Sequence, residues 1–302
     1  MPRPRDDRRP VTARVRATTW ERPARGVVDV RRSLGSGALG QDPFDVQRRR
    51  AAVLGLLAHP GSVATGVCAL VLHGIQGAPV AVTPEVALPT GAPRAPRPPV
   101  RLRRTAVPRM VDVDGFRCVP VDGALAQAVP ELPRRFAVAL MDSALQRGDL
   151  TTAGLEAAQR MAARRRGVAR TRRWWGLADG RAESPAETWA RLSCLDEGCP
   201  PDALQLLVAG RDKQVFARVD LAWRLPDGTA LLVEIDGRDV HSTPEAVFRD
   251  RTRQNRLTTP GTILHRFTGR DAWQGRVGTE VAAMLRGAGW RPAPQPAGRL
   301  DT

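Results

Sequence analysis

Apolar positions along the first half of the chain change period several times. Val46, Val53, Leu54 and Leu57 fit one face of a helix over 46–57. After the break Pro60-Gly61-Ser62 a second helix is predicted over 63–72. Short β-like runs follow at 80–88, 100–107 and 110–121, the last holding an Asp114-Gly115 turn, with a Pro-rich loop at 91–99. Helices resume at 123–128, 134–146 and 152–163, with Phe136, Leu140 and Leu145 marking a core stripe. A composition shift at 178–183 suggests a boundary, and beyond it the predicted order is helix, strand, strand, helix, strand, helix. Ser184-Pro185-Ala186-Glu187 opens the first of these helices, and Pro226-Asp227-Gly228 turns strand 216–223 into strand 230–236. A helix over 244–257 and a strand over 262–267 complete a crossover on a mixed sheet. Trp273, Val277, Val281 and Met284 then give one amphipathic helix.

Composition adds size and charge. The 302 residues suffice for two ordinary domains, and 42% hydrophobic with 26% charged residues allows a buried core. No run of about 18 apolar residues occurs and no apolar stretch follows the basic start, so neither a membrane span nor a secretory leader is expected, and the location read from this is cytoplasmic. Cys68, Cys118, Cys194 and Cys199 form no C-x-x-C pair and are read as reduced thiols. The net charge of +16 points to a polyanionic partner, nucleic acid above all, since neutralising phosphates releases counterions. Lys213 is the only lysine; base composition explains arginine over lysine, but not the excess over Asp and Glu. Arginines cluster: eight in 1–25, read as a disordered tail, six in 94–109 and seven in 160–173, the last two runs without an acid. The run from Arg164 to Arg173, ending at Trp174-Trp175, suits either phosphate contact or a solvated face with a buried aromatic anchor.

The acids of the hairpin carry the candidate chemistry. Asp220 sits in an alternating strand and is expected to point opposite to Val219, Leu221 and Trp223. Glu234 and Asp236, two apart, are expected on one face of the next strand. Carboxylates on an otherwise apolar strand need compensation by an arginine, water or a metal. A hard divalent cation, Mg²⁺ or Mn²⁺, suits three converging carboxylates; the plainer reading is a solvated hairpin end with Glu234 paired to Arg238 or Arg249. Glu187 completes a capping box with Ser184, a role compatible with metal or water binding.

The ordered strings Val219-Asp220-Leu221-Ala222-Trp223, Leu232-Val233-Glu234-Ile235-Asp236-Gly237, His241, Arg249-Asp250-Arg251-Thr252-Arg253-Gln254-Asn255 and Leu264-His265-Arg266-Phe267-Thr268 resemble a bacterial family. Its C-terminal domain, of unknown function, belongs to the PD-(D/E)XK nuclease superfamily and is similar to the very-short-patch-repair endonuclease. The resemblance covers about 184–286 and implies an α/β, restriction-endonuclease-like mixed sheet flanked by helices, after a smaller α+β domain. It implies Asp220 and Glu234 as metal ligands, Glu187 as a helix acid, and His241 as a general base or phosphate contact. Arg249, Arg253 and Arg256 are then a phosphate clamp or, on the plainer reading, a salt-bridged helix face. The usual lysine of the motif is replaced by Asp236, which cannot activate water as a lysine does but could bind a second cation.

Residues 20–149 resemble the abortive-infection-type antitoxin region often joined to this domain, through Trp20-Glu21-Arg22, Gly26-Val27, 48–58 and 63–74, and a cognate toxin is the partner this implies. The organisation expected is a basic tail 1–25, an antitoxin-like region 26–178, a nuclease-like domain 179–290 and a tail 291–302. The function expected is Mg²⁺-dependent phosphodiester hydrolysis of DNA; the alternative is a non-catalytic, antitoxin-like nucleic-acid-binding regulator that keeps the fold as scaffold.

Overall fold

The computed structural model describes residues 21–29, 42–210, 214–236, 256–257 and 260–292. Contacts divide the chain into two units, one made of residues up to 132 with 150–172, the other of 133–149 with everything from 173 onward. The sequence boundary at 178/179 thus lies six residues beyond the one drawn by contacts, which also give 133–149 to the second unit.

In the first unit β1 (Glu21–Ala24) and β2 (Val27–Asp29) form a two-stranded antiparallel pair closed by Arg25-Gly26. Residues 21–24, assigned from composition to the tail, are held there because Ala24 and Val27 bury against Ala58 and Val86. Helix α1 (Pro43–Ala58) starts at Asp42, whose side chain accepts from Phe44 N at 3.0 Å, with proline in the first turn. A five-stranded mixed sheet runs in the order β5-β4-β3-β7-β6. Its strands are β3 (Val63–Ala64), β4 (Glu85–Ala87), β5 (Arg101–Arg103), β6 (Val111–Val113) and β7 (Phe116–Cys118). Helix α2 (Gly66–Leu72) follows β3 directly, so the start of the helix expected at 63 is strand instead. Helix α3 (Val121–Ala128) and a 3-10 turn (Val129–Glu131) lead into α4 (Arg134–Gln146), which belongs to the second unit. The chain returns for α5 (Thr152–Ala162) and α6 (Val168–Thr171).

The second unit is a four-stranded mixed sheet, order β11-β10-β9-β8, with helices against one face. Helix α7 (Pro185–Asp196) leads to β8 (Ala203–Ala209), β9 (Val215–Arg224), β10 (Ala230–Asp236) and β11 (Thr262–Thr268). Strand β8 was not expected: its apolar run between Pro200-Pro201 and Gly210 lacks the alternation that marks a half-exposed strand. Strands β9 and β10 are antiparallel neighbours, with Val233 opposite Leu221, and β10 runs parallel to β11. The helix expected over 244–257 lies, except for its last two residues, outside the described residues. The amphipathic helix at the end is two helices, α8 (Gly269–Gln274) and α9 (Arg276–Gly287), because Gly275 adopts φ +77° and breaks the run. Trp273, read as a core position, is therefore off the apolar stripe of α9 and 42% exposed.

The main core places Leu221, Trp223, Leu231, Val233 and Ile235 against Ala190 and Cys194 of α7 and Val277, Val281 and Leu285 of α9. Burying each such large side chain contributes about 1.5–3 kcal/mol. Trp223 is fully buried, and its indole N–H is satisfied by the Pro200 carbonyl at 2.9 Å. On the other side Val219, Ala222, Leu232 and Leu257 form a second cluster. All four cysteines are buried and none forms a disulfide. Among the described residues no helix is long and apolar enough to cross a membrane.

Candidate acidic site on the second sheet

Helix α7 delivers the first acid. Ser184 at its cap accepts from Glu187 N at 3.2 Å and its hydroxyl donates back to Glu187 Oε1 at 2.8 Å. The other carboxylate oxygen of Glu187 accepts from Glu183 N at 2.8 Å, so the cap expected from the sequence forms with its return bond one residue earlier. The helix start is tied to α4 by Asp142, which accepts from Thr188 Oγ1 and Arg191 Nη2, both at 2.8 Å, and from Asp179 N at 2.7 Å. Burial pushes the Asp142 carboxyl up to about 6, against the pull of Arg191 and the two other donors.

The second acid, Asp220, lies where β9 departs from simple alternation. Val219 packs into one cluster and Leu221 into the other, so the expectation that Asp220 points opposite to both is corrected. The same break occurs on β8, where Leu204 and Leu206 face different clusters across Gln205, whose φ is +53°. A non-glycine residue in the left-handed region interrupts the pleat and turns its side chain out of register. Gln205 Nε2 consequently donates to Glu187 Oε2 at 2.8 Å and to Asp220 Oδ1 at 3.2 Å. Asp220 Oδ2 accepts from Ile235 N at 2.7 Å, on the backbone between Glu234 and Asp236.

Glu234 and Asp236 share one face of β10, as their spacing requires, and meet Arg266 of β11 there. In the parallel register Glu234 is opposite Arg266. The guanidinium Nη2 lies 2.7 Å from Asp236 Oδ1, and its Nε 3.7 Å from Glu234 Oε2. Glu234 is only 5% exposed, so a positive neighbour is needed to keep it ionised. Arg238 and Arg249, the partners suggested by sequence, lie outside the described residues, as do His241 and Arg253. Arg256 is exposed and stacks on Phe216, its guanidinium 4.0 Å from the ring centroid.

Gln205 thus joins Glu187 to Asp220, Arg266 joins Glu234 to Asp236, and Asp220 bonds the β10 backbone between the latter two. Burial pushes the Glu187 carboxyl above its usual range; the Glu183 N–H pulls the other way and the Asp220 charge reinforces the rise. Among the described residues no three His, Cys, Asp or Glu side chains stand in a ready-made metal-binding arrangement. Glu187 and Asp220 converge on the Gln205 Nε2, and Gln205 Oε1 is buried with no hydrogen-bond partner among the described residues, so these three side chains fit a hard cation once the amide is turned to present its oxygen. Gln205 was missed from sequence; a lone amide in the apolar run ALQLLVA was its one signal. A separate cleft of about 320 Å³ is lined by Trp189, Trp273, Arg134, Arg135 and Asp196, and none of the four acids reaches it.

Known proteins bring no assignment. No protein-family profile matches the chain, and no solved structure matches it. Two uncharacterized proteins of Mycobacterium tuberculosis, from strains CDC 1551 / Oshkosh and H37Rv, are each 34% identical to it over 172 residues. That alignment covers 54% of this chain and 62% of each relative, so the chain spans less than two thirds of their length.

Proposed function

We propose that the second unit is a restriction-endonuclease-like domain that hydrolyses phosphodiester bonds of nucleic acid, DNA foremost, with a divalent cation. The observation that carries this reading is the meeting of Glu187 and Asp220 on the Gln205 amide, beside the Glu234–Asp236 pair. Two carboxylates brought this close repel each other, and a shared cation would relieve that repulsion. Asp220 and Glu187, with the Gln205 oxygen once its amide is turned over, would hold Mg²⁺ or Mn²⁺, which would supply charge neutralisation at phosphate and a more acidic water.

The chain's own groups supply the remaining roles. The raised proton affinity of Glu187 reflects its burial beside the Asp220 charge, a repulsion that a shared cation would relieve. The resembling nucleases carry a lysine where this chain has Asp236. Here Arg266 brings a positive charge to that place from the neighbouring strand, oriented by Asp236. A guanidinium cannot pass a proton at neutral pH, so its role is to stabilise charge developing on phosphate oxygens. Ile235 N–H fixes the rotamer of Asp220, which makes Asp220 the least replaceable of the acids.

The test is cleavage of duplex DNA, single-stranded DNA and RNA with Mg²⁺ or Mn²⁺. Cleavage that falls to background in Asp220→Ala while nucleic-acid binding persists is the expected result. Cutting by Asp220→Ala at the wild-type rate would overturn the reading. The hold of Arg266 on Asp236 and Glu234 favours a second reading, a non-catalytic regulator with its acids neutralised internally. Binding without cleavage under either ion would establish that one.

A further inference from the structure

The two acid-free arginine runs, 94–109 and 160–173, are far apart in sequence but share one anchor in the first unit, the turn at Val129–Glu131. Glu131 takes a bidentate fork from Arg101, at 2.7 and 3.0 Å, and another from Arg103, at 2.8 and 3.0 Å. Arg103 also reaches Glu85 at 2.9 Å, both side chains being buried. On the other run Arg170 Nη2 donates to the carbonyls of Pro130 and Leu132, each at 3.2 Å. Gly167, at φ +91°, lies so close that a Cβ there would stand 2.4 Å from the Pro130 oxygen. The segment after α5 is therefore fastened to the turn that holds β5. Arg165 lies within electrostatic reach of Arg103; burial and that like charge both lower its proton affinity.

The charge count on this anchor is uneven. Glu85 and Glu131 are already occupied by Arg101 and Arg103. Arg104, Arg164, Arg166 and Arg172 are exposed, and none forms an ion pair with an acid among the described residues. An uncompensated positive surface raises the self-energy of the fold unless a polyanion relieves it. Guanidinium forks on a fixed backbone match phosphate oxygens and lose little entropy on binding.

We infer that this arginine surface of the first unit, bearing Arg104, Arg164, Arg166 and Arg172 around the Glu131 anchor, binds the phosphodiester backbone of nucleic acid. The surface is independent of the acidic site in the second unit and would position nucleic acid without reading its sequence.

The test uses the full chain and its Arg104→Ala/Arg164→Ala/Arg166→Ala/Arg172→Ala variant, with fluorescence anisotropy on labelled 20-mers of duplex DNA, single-stranded DNA and RNA across a salt series. The variant is expected to bind at least one of the three about tenfold or more weakly, with a duplex salt slope shallower by about 3–4. The nucleic acid that loses most identifies the source of the phosphate. Replacing the same four arginines by lysine should keep most of the slope, which separates lost charge from lost folding. Affinity within about twofold of wild type for all three would overturn the proposal, as would competition by polyglutamate equal to that by DNA at matched charge. Anisotropy is read in EDTA without divalent ion, so a failed nuclease assay and a failed binding face are told apart.

Discussion

Asp142 is 1% exposed and Arg191 8%, and together they tie the start of α7 to α4. Removing one member of such a pair strands the other charge away from water. Asp142→Asn should therefore cost about 3–5 kcal/mol in urea unfolding, far more than an exposed pair would. Smaller losses would mean that water reaches Arg191. Glu131 shows the opposite balance. Burial alone would raise its carboxyl, but the forks of Arg101 and Arg103 outweigh it and hold the group at about 2. The folded value lies below the ordinary 4.5, so this contribution is complete above about pH 4.5 and disappears as pH falls toward 2. Glu131→Gln should flatten the loss of stability over that window, read as urea midpoints from pH 2 to 6.

Elements meet closely where small residues allow it. Gly278 of α9 faces the α7 backbone, and a Cβ there would sit 2.3 Å from the Ser193 oxygen and 2.9 Å from Cys194 N. These are backbone atoms, so the helices would have to separate. Gly278→Ala is expected to destabilise by about 1–3 kcal/mol despite the better helix propensity of alanine, measured by thermal unfolding. The same substitution on an open surface would stabilise. A gain in midpoint would show that α9 can slide along α7. Because α7 also carries Glu187, displacement of that helix should weaken any divalent-ion effect along with stability.

For the whole molecule, charge and metal binding are the testable properties. A cation bound by the folded acids but not by the unfolded chain raises stability by mass action, about 2.7 kcal/mol at a hundred times its dissociation constant. Mg²⁺ or Mn²⁺ should therefore raise the unfolding midpoint of the wild-type chain and leave Asp220→Ala unmoved, in scanning calorimetry over a divalent-ion series. Equal shifts in both would assign the ion to another place.

Period and composition determined much of this protein. Strands β9, β10 and β11 and the cap at Ser184 are legible because apolar runs, turn residues and capping are local, set by side chains a few residues apart. The common face of Glu234 and Asp236 follows from the two-residue repeat alone. Only the tertiary structure brought Gln205 between Glu187 and Asp220, since a broken pleat on two strands at once has no sequence period. It alone chose Arg266 as the partner of Asp236, because parallel register depends on how a distant strand docks. Likewise the two arginine runs, separate in the sequence, share the Glu131 turn only once α5 has packed on α3. Contacts between residues far apart in the chain are fixed by burial across the whole unit, which no local window records.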